Sequence, residues 1–315
     1  MNTVFKAEII GFGAVAVDDL LFLQGFPQSN SKHEVIKKDR FAGGLAGTAL
    51  VAASRLGVRA AYFGVLGDNE LSEFTLAEFR KDKVDTSLCL KKEGSKPIHS
   101  TILADQSSGG RTILFSLDGF QAPEIEEITL ESLQHCRLIF IDSYVLEIFP
   151  HVVNLAHSVD IPIIADIESD RVLEFSKSLN DIDHLILNIK MAAVITNKKL
   201  PAEILFVLDT RRRVCTVITD GSRGCWYKEK DQPIFYMPAF KVDTVDTTGC
   251  GDVFHGAYAA ALIRGETIST AVLQASAAAA IKTTKPGGRD GIPNLKKLLD
   301  FCKRHEHIHP RVLNE

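Results

Sequence analysis

Residues 244–258, TVDTTGCGDVFHGAY, set two threonines and two glycines just ahead of one aspartate that opens a long apolar run. Gly249 and Gly251 permit a tight turn and close approach of backbone to a bound group. From Asp252 onward, DVFHGAYAAALIRG reads as a helix with Gly265 as its stop. The loop therefore ends at a helix N-terminus, where N–H groups point outward and the dipole favours an anion. A phosphate fits such a cradle, with Asp252 in the first turn beside it. A carboxylate next to a phosphate site is electrostatically awkward unless it has chemistry to perform. Taken alone, the segment is equally a glycine turn capped by an aspartate.

Positioning such a loop needs a scaffold, and the rest of the chain supplies its pattern. Short runs rich in Val, Ile and Phe recur at 8–17, 60–66, 138–142, 161–167, 184–188 and 214–219. Most read as strands buried on both faces. Helical patterns lie between and after them, at 46–56, 70–83, 145–159, 172–179, 201–211, 252–264 and 269–283. Strand alternating with helix predicts an α/β fold, a mainly parallel central sheet with helices on both faces. Two pairs of short β-like runs break the rhythm. Residues 20–23 lie close to 33–41, and 98–104 and 111–117 flank the turn sequence DQSSGG. They predict a small antiparallel β lid, over about 19–42 and 98–118. Without a repeat or a dividing linker, residues 1–315 are expected to form one domain.

Composition removes several function classes. The 315 residues carry 36 Lys and Arg against 40 Asp and Glu, a net charge of -4, mixed along the chain. That balance argues against a nucleic-acid surface or a membrane-surface patch. Six scattered cysteines form no C-x-x-C pair, which disfavours a zinc cluster or a disulfide framework. The start shows no leader pattern and no apolar run is long enough to span a bilayer. A cytoplasmic protein is expected. The three histidines of HEHIHP, at 305–310, read as a solvated terminus.

DTTGCGD, at 246–252, resembles the C-terminal signature of the PfkB, or ribokinase-like, sugar kinases. AGGLAGTALVAASRLG, at 42–57, resembles their N-terminal Gly-Gly signature, and VAVDDL, at 15–20, their substrate-binding first-strand region. Order and spacing agree over nearly the whole chain. The resemblance implies a ribokinase-like fold and ATP-dependent phosphorylation of a sugar, with Mg2+. It implies Asp252 as catalytic base and the backbone of Gly249, Cys250 and Gly251 as an anion hole. Phosphoryl transfer asks for alignment and charge stabilisation more than covalent chemistry, which suits such a loop. The helix dipole is expected to keep Asp252 ionised and weakly basic.

The resemblance carries further roles. Asp18 matches the carboxylate that grips sugar hydroxyls; strand alternation puts Asp18 and Asp19 on opposite faces. Gly43 and Gly44 match the pair that lets backbone approach the sugar, and Thr48 stands where many members have Asn. Met191 replaces the Glu of an Asn-x-x-Glu motif that begins at Asn188, as ketohexokinase-like members also lack it. Lys190, Thr219, Gly221, Gly224, Thr247 and Ala277 are implied at the nucleotide. Relatives also bind a monovalent cation along 246–248. The lid implies a homodimer. Similarity to ketose kinases, sulfofructose kinase among them, with Lys32 and Arg111 on the lid, implies an anionic ketose such as sulfofructose or a sugar phosphate.

Two rival readings are open at this point. GFGAVA, at 11–16, fits G-x-G-x-x-A and would suit a Rossmann NAD-dependent oxidoreductase if a helix followed it. Met191 and Thr48 would suit a sugar or nucleotide sensor that has kept the fold without catalysis.

Overall fold

The computed structural model describes residues 7–107 and 110–313; Ser108 and Gly109 of the expected lid turn lie outside them. Among the described residues the strands form a nine-stranded sheet. In spatial order it runs Arg311–Val312, Ile234–Met237, Cys225–Glu229, Cys215–Thr219, His184–Asn188, Ile163–Asp166, Leu138–Asp142, Ile9–Phe12 and Ala60–Phe63. The six strands from Cys215–Thr219 to Ala60–Phe63 are parallel, and the other three add antiparallel pairs at one edge.

Alternation along each strand builds two cores. Ile9, Tyr62, Phe140, Ile164, Ile186 and Val217 face the layer containing the helices Leu45–Arg55, Cys250–Ile263 and Ile268–Thr283. Ile10, Phe63, Ile141, Ala165, Leu187 and Ile218 face the layer containing the helix Phe149–Ser158. The first of these layers is unusually close-packed. A Cβ at Gly256 would meet the Ala49 carbonyl oxygen at 2.1 Å, so the helices that begin at Leu45 and Cys250 touch backbone to backbone. Even one methyl there would cost about 1–3 kcal/mol. That contact fixes the 246–251 loop relative to the Gly43-Gly44 turn.

The lid is a four-stranded sheet in the order Lys37–Gly43, Ala16–Leu23, Ile98–Asp105, Arg111–Ser116. It is not wholly antiparallel, as the sequence suggests: Ala16–Leu23 and Ile98–Asp105 run parallel. The chain passes through two helices and a core strand between them, and such a crossover returns it in the same direction. The strands Cys225–Glu229 and Ile234–Met237, which the sequence reading passes over, form the antiparallel hairpin at the sheet edge. Ile9–Phe12 runs into Ala16–Leu23, a lid strand, and not into a helix, so the geometry of a Rossmann phosphate turn is absent from GFGAVA.

Candidate active site

The helix predicted from Asp252 begins two residues earlier, at Cys250, with Gly249 at its N-cap. Gly249 has φ 72°, and a Cβ there would come within 3.0 Å of the Gly288 carbonyl, so only glycine fits. Gly251 is exposed and a Cβ on it would meet no protein atom, which leaves its backbone open to approach. Of the three N–H groups expected to form an anion hole, that of Cys250 is turned to the Thr247 carbonyl at 3.2 Å. That of Gly249 has no hydrogen-bond partner among the described residues, and that of Gly251 donates to the Cys250 sulfur. The turn thus leaves the Gly249 N–H and the helix end open, with the Cys250 N–H spent on closing it.

Asp252 departs from expectation more sharply. The helix dipole would lower its pKa, yet its pKa is raised well above the ordinary 3.8. Burial is the main cause, and the charges of Glu168, Asp142 and Asp18 add to it while Arg289 opposes them. Desolvation and like charges outweigh a dipole worth about 1 kcal/mol. The result is a stronger base than an ordinary aspartate. His255, one turn along, has its Nδ1 at 2.9 Å from the Gly251 carbonyl and 3.4 Å from Asp166 Oδ2, with burial pushing it down to about 4.

These shifts give a pH prediction. In the role of base that the resemblance implies for it, Asp252 works deprotonated, so the acid limb of kcat/KM should lie above pH 3.8 and activity should rise through it. Glu168→Gln removes a raising charge and should move the limb to lower pH. An unmoved limb in a pH–rate profile would mean that another group sets it. By linkage, a raised carboxyl pKa also means that its contribution to stability is present at low pH and lost as pH rises through the shifted value.

Asp142 is a positioning residue that sequence reading missed. It is fully buried at the end of Leu138–Asp142 and accepts from Ala14 N at 2.7 Å, Ala46 N at 3.1 Å and Tyr144 N at 2.8 Å. It ties the exit of the first strand to the start of the helix Leu45–Arg55. Gly13 is required beside it, since a Cβ there would lie 2.1 Å from its Oδ2.

At the lid end, alternation separates the two aspartates as expected. Asp19 is enclosed by Arg40 at 2.8 Å, His99 at 3.0 Å and Lys38 at 3.4 Å, chiefly Arg40 holding it well below the usual carboxylate range. Asp18 lies on the other face, over Gly43, where a Cβ would meet its Oδ2 at 2.4 Å. Burial raises its pKa, against a hydrogen bond from Ser100 and the charge of Arg289. Gly44 has φ 86° and caps the helix Leu45–Arg55, too close to the Ala14 carbonyl (2.5 Å) for any side chain. Thr48, expected to reach a sugar, is buried one turn inside that helix, and its Oγ1 faces Arg289 Nε at 3.4 Å.

Arg289 carried no signal that sequence reading used. It is 5% exposed, donates from Nη2 to the Gly43 carbonyl at 2.7 Å, and has its guanidinium over the Phe79 ring at 5.4 Å. Gly47 makes room for it: a Cβ there would meet Nη2 at 2.4 Å. Burial pushes its pKa down to about 10, still cationic near neutral pH.

A cavity of about 380 Å³ adjoins the 246–251 loop, and Thr219, Gly221, Gly224 and Thr247, which the resemblance places at the nucleotide, line it, together with Cys250 and Gly251. Ala277 does not. On the helix Ile268–Thr283, Ser276, Ala279, Ala280 and Thr283 face the cavity, while Ala277 and Ala278 face the core. The spacing of i, i+3, i+4 and i+7 defines that cavity face. Lys190 sits exposed in the helix Ile189–Thr196, outside the cavity lining. Asn188 caps that helix through Met191 N at 2.9 Å.

The lid cations also differ from expectation. Arg111 Nη1 donates to Asp246 Oδ1 at 2.9 Å and to Thr248 Oγ1, so it latches the lid to the loop before the anion site. Lys32 lies in an exposed connection, with no hydrogen bond or ion pair among the described residues.

Comparison with known proteins follows this geometry. The family described as pfkB family carbohydrate kinase matches residues 7–295. Ribokinase of Bacillus subtilis is 25% identical over 252 residues, 80% of this chain and 84% of its own. A structure assigned as a ribokinase from Agrobacterium tumefaciens is 26% identical, with a TM-score of 0.86 over 96% of this chain and 99% of that one. An Escherichia coli structure assigned as ribokinase II, solved with ATP and Mg2+, has a TM-score of 0.83 at 17% identity, over 95% of this chain and 100% of that one, and shares the fold.

Proposed function

The chain belongs to the pfkB family of carbohydrate kinases, phosphotransferases with an alcohol group as acceptor, and we propose that it phosphorylates a ketose with ATP. The observation that carries this reading is the convergence of Asp252, with its raised pKa, the open Gly251 backbone, and Asp18 across the lid. The sheet and the lid act as one kinase domain.

In this reading the nucleotide lies in the cavity lined by Thr219, Gly221, Gly224 and Thr247, its phosphates directed at the helix start. Asp18 and the backbone at Gly43 and Gly44 hold the sugar hydroxyls. Asp252 takes the proton from the attacking hydroxyl as the γ-phosphoryl group transfers, and the N–H groups of Gly249 and Gly251 hold its developing charge. Lid closure excludes water and disfavours ATP hydrolysis.

Magnesium prefers one or two carboxylates plus substrate phosphates to a cage made wholly of protein. The described residues match that preference: no group of three or more potential ligands is gathered into a metal cage, and Glu168 and Asp252 feel each other's charge. Glu168 would hold the ion, which when bound neutralises charge on the phosphates.

For the acceptor, Arg111 is engaged with Asp246 and Thr248, which leaves an anionic sugar resting on Lys32. That favours a neutral ketose over sulfofructose or a sugar phosphate. ADP release with Mg-ATP over fructose, tagatose, ribose, sulfofructose and ketose phosphates tests this. Fructose or tagatose should be turned over best; preference for an anionic ketose would contradict it. The sensor reading lacks a comparable support, because a sensor needs no base at Asp252.

Two further assignments complete the proposal. The outer lid strand, with Ile113, Leu114 and Phe115 47%, 55% and 59% exposed, is the edge given to a second copy, and the mass in solution tests that assignment. No helix among the described residues is long and apolar enough to cross a membrane, and the six cysteines are free, which accords with a reducing cytoplasm.

A further inference from the structure

Lys282 is a buried cation that the proposed mechanism does not use. It lies at the end of the helix Ile268–Thr283, is 0% exposed, and its Nζ donates to the Asp246 main-chain carbonyl at 3.0 Å. No carboxylate lies within ion-pair distance of it among the described residues. The Asp246 carboxylate itself is occupied, by Thr248 N at 2.8 Å, Thr248 Oγ1 at 2.7 Å, Arg111 Nη1 at 2.9 Å and Gly287 N at 2.9 Å. A buried ammonium that faces a carbonyl instead of a carboxylate is expensive to desolvate.

Its surroundings show what that cost sustains. Val245 N and Asp246 N both donate to the Thr283 carbonyl, at 2.8 and 3.0 Å, so the stretch before the anion loop is sewn to this helix end. Lys282 adds a positive charge to the same seam. The groups whose charge it feels are Asp246, Cys250 and Asp252, which favour its charged form, and Arg111, which opposes it. Burial draws its pKa below the ordinary 10.5. The Gly249 and Gly251 N–H groups lie just beyond Asp246 along the chain.

We propose that the Lys282 ammonium serves as a tethered monovalent cation, fixing the 246–251 loop and lending it positive charge. Phosphate binding and turnover then do not depend on dissolved potassium, ammonium or sodium. The inference rests on reading that loop as the phosphate site. It also changes the expectation for 246–248, where relatives bind a free cation: here the Asp246 carbonyl receives a side chain of the protein.

The test is Mg-ATP binding by calorimetry, and sugar-dependent ADP release, in chloride salts of tetramethylammonium, sodium, potassium and ammonium at one ionic strength. Wild-type affinity and turnover should agree within about twofold across the four, since screening is held constant. Lys282→Met keeps the stem and loses the charge. Its turnover should fall roughly 100-fold in tetramethylammonium, the scale of losing one charge-stabilising donor, and recover in part with potassium or ammonium. Wild type strongly activated by potassium would overturn the proposal. So would a Lys282→Met protein that matches wild type, or one weakened equally in every salt. Should that variant not fold by circular dichroism, the wild-type salt series decides alone. Salt-independent Mg-ATP binding without turnover of any sugar would reject the kinase reading and leave the role of Lys282 standing.

Discussion

Asp252→Asn is expected to lower kcat about a thousandfold, the middle of the range for a positioned general base. Mg-ATP affinity should change little, because the loop backbone and the helix end are untouched. Stability should hold or rise, since the substitution removes one of several carboxyls that raise one another's pKa: Glu168, Asp142 and Asp18 all act on Asp252 in that sense. This pairing of lost turnover with retained fold distinguishes a base from a helix cap. A cap replaced by asparagine would retain both. Stopped assays of sugar phosphate formation, with thermal unfolding of the same samples, make the comparison; a variant with near-normal kcat would remove Asp252 from the mechanism.

Arg289→Met carries the second large effect, on stability and on the sugar end together. The guanidinium is the donor to the buried Gly43 carbonyl and faces Thr48 Oγ1, and its charge offsets the desolvation of Asp18. Removing it strands a buried acceptor and takes from Asp18 the cation whose charge most offsets its burial. A loss of about 3 kcal/mol in unfolding free energy is expected, read as a lower denaturant midpoint at unchanged slope. KM for the sugar should rise more than KM for ATP, because Gly43 and Asp18 are the groups proposed to hold the sugar. Equal stability and equal KM values would show that Arg289 is dispensable to the turn it contacts.

How much of this was legible in the chain depends on the range of the interaction concerned. Local signals read well. The alternation of Asp18 and Asp19 predicted opposite faces, and two glycines before Asp252 predicted a turn into a helix. The parallel core strands followed from apolar runs buried on both faces. What failed was long range. Asp142 and Arg289 are defined by partners 96 to 246 positions away, and no spacing rule reaches that far. Asp252 was misjudged because the dipole is a property of its own helix, whereas its burial and the charges of Glu168, in the loop after Ile163–Asp166, and Asp142, at a strand end, come from elsewhere in the chain. Ala277 was misplaced although the helical period could have told it from Ala280. Arg111 looked like an open lid charge because its partners, Asp246 and Thr248, lie across the lid seam.

The most direct measurement is phosphorus NMR of the products when wild type and Asp252→Asn are incubated with Mg-ATP and fructose. The account predicts a new sugar phosphate resonance that grows with ADP in the wild type and is all but absent in the variant, with both proteins folded. ADP accompanied only by inorganic phosphate, or a sugar phosphate that forms equally in both, would contradict the assignment of Asp252 as the base of a sugar kinase.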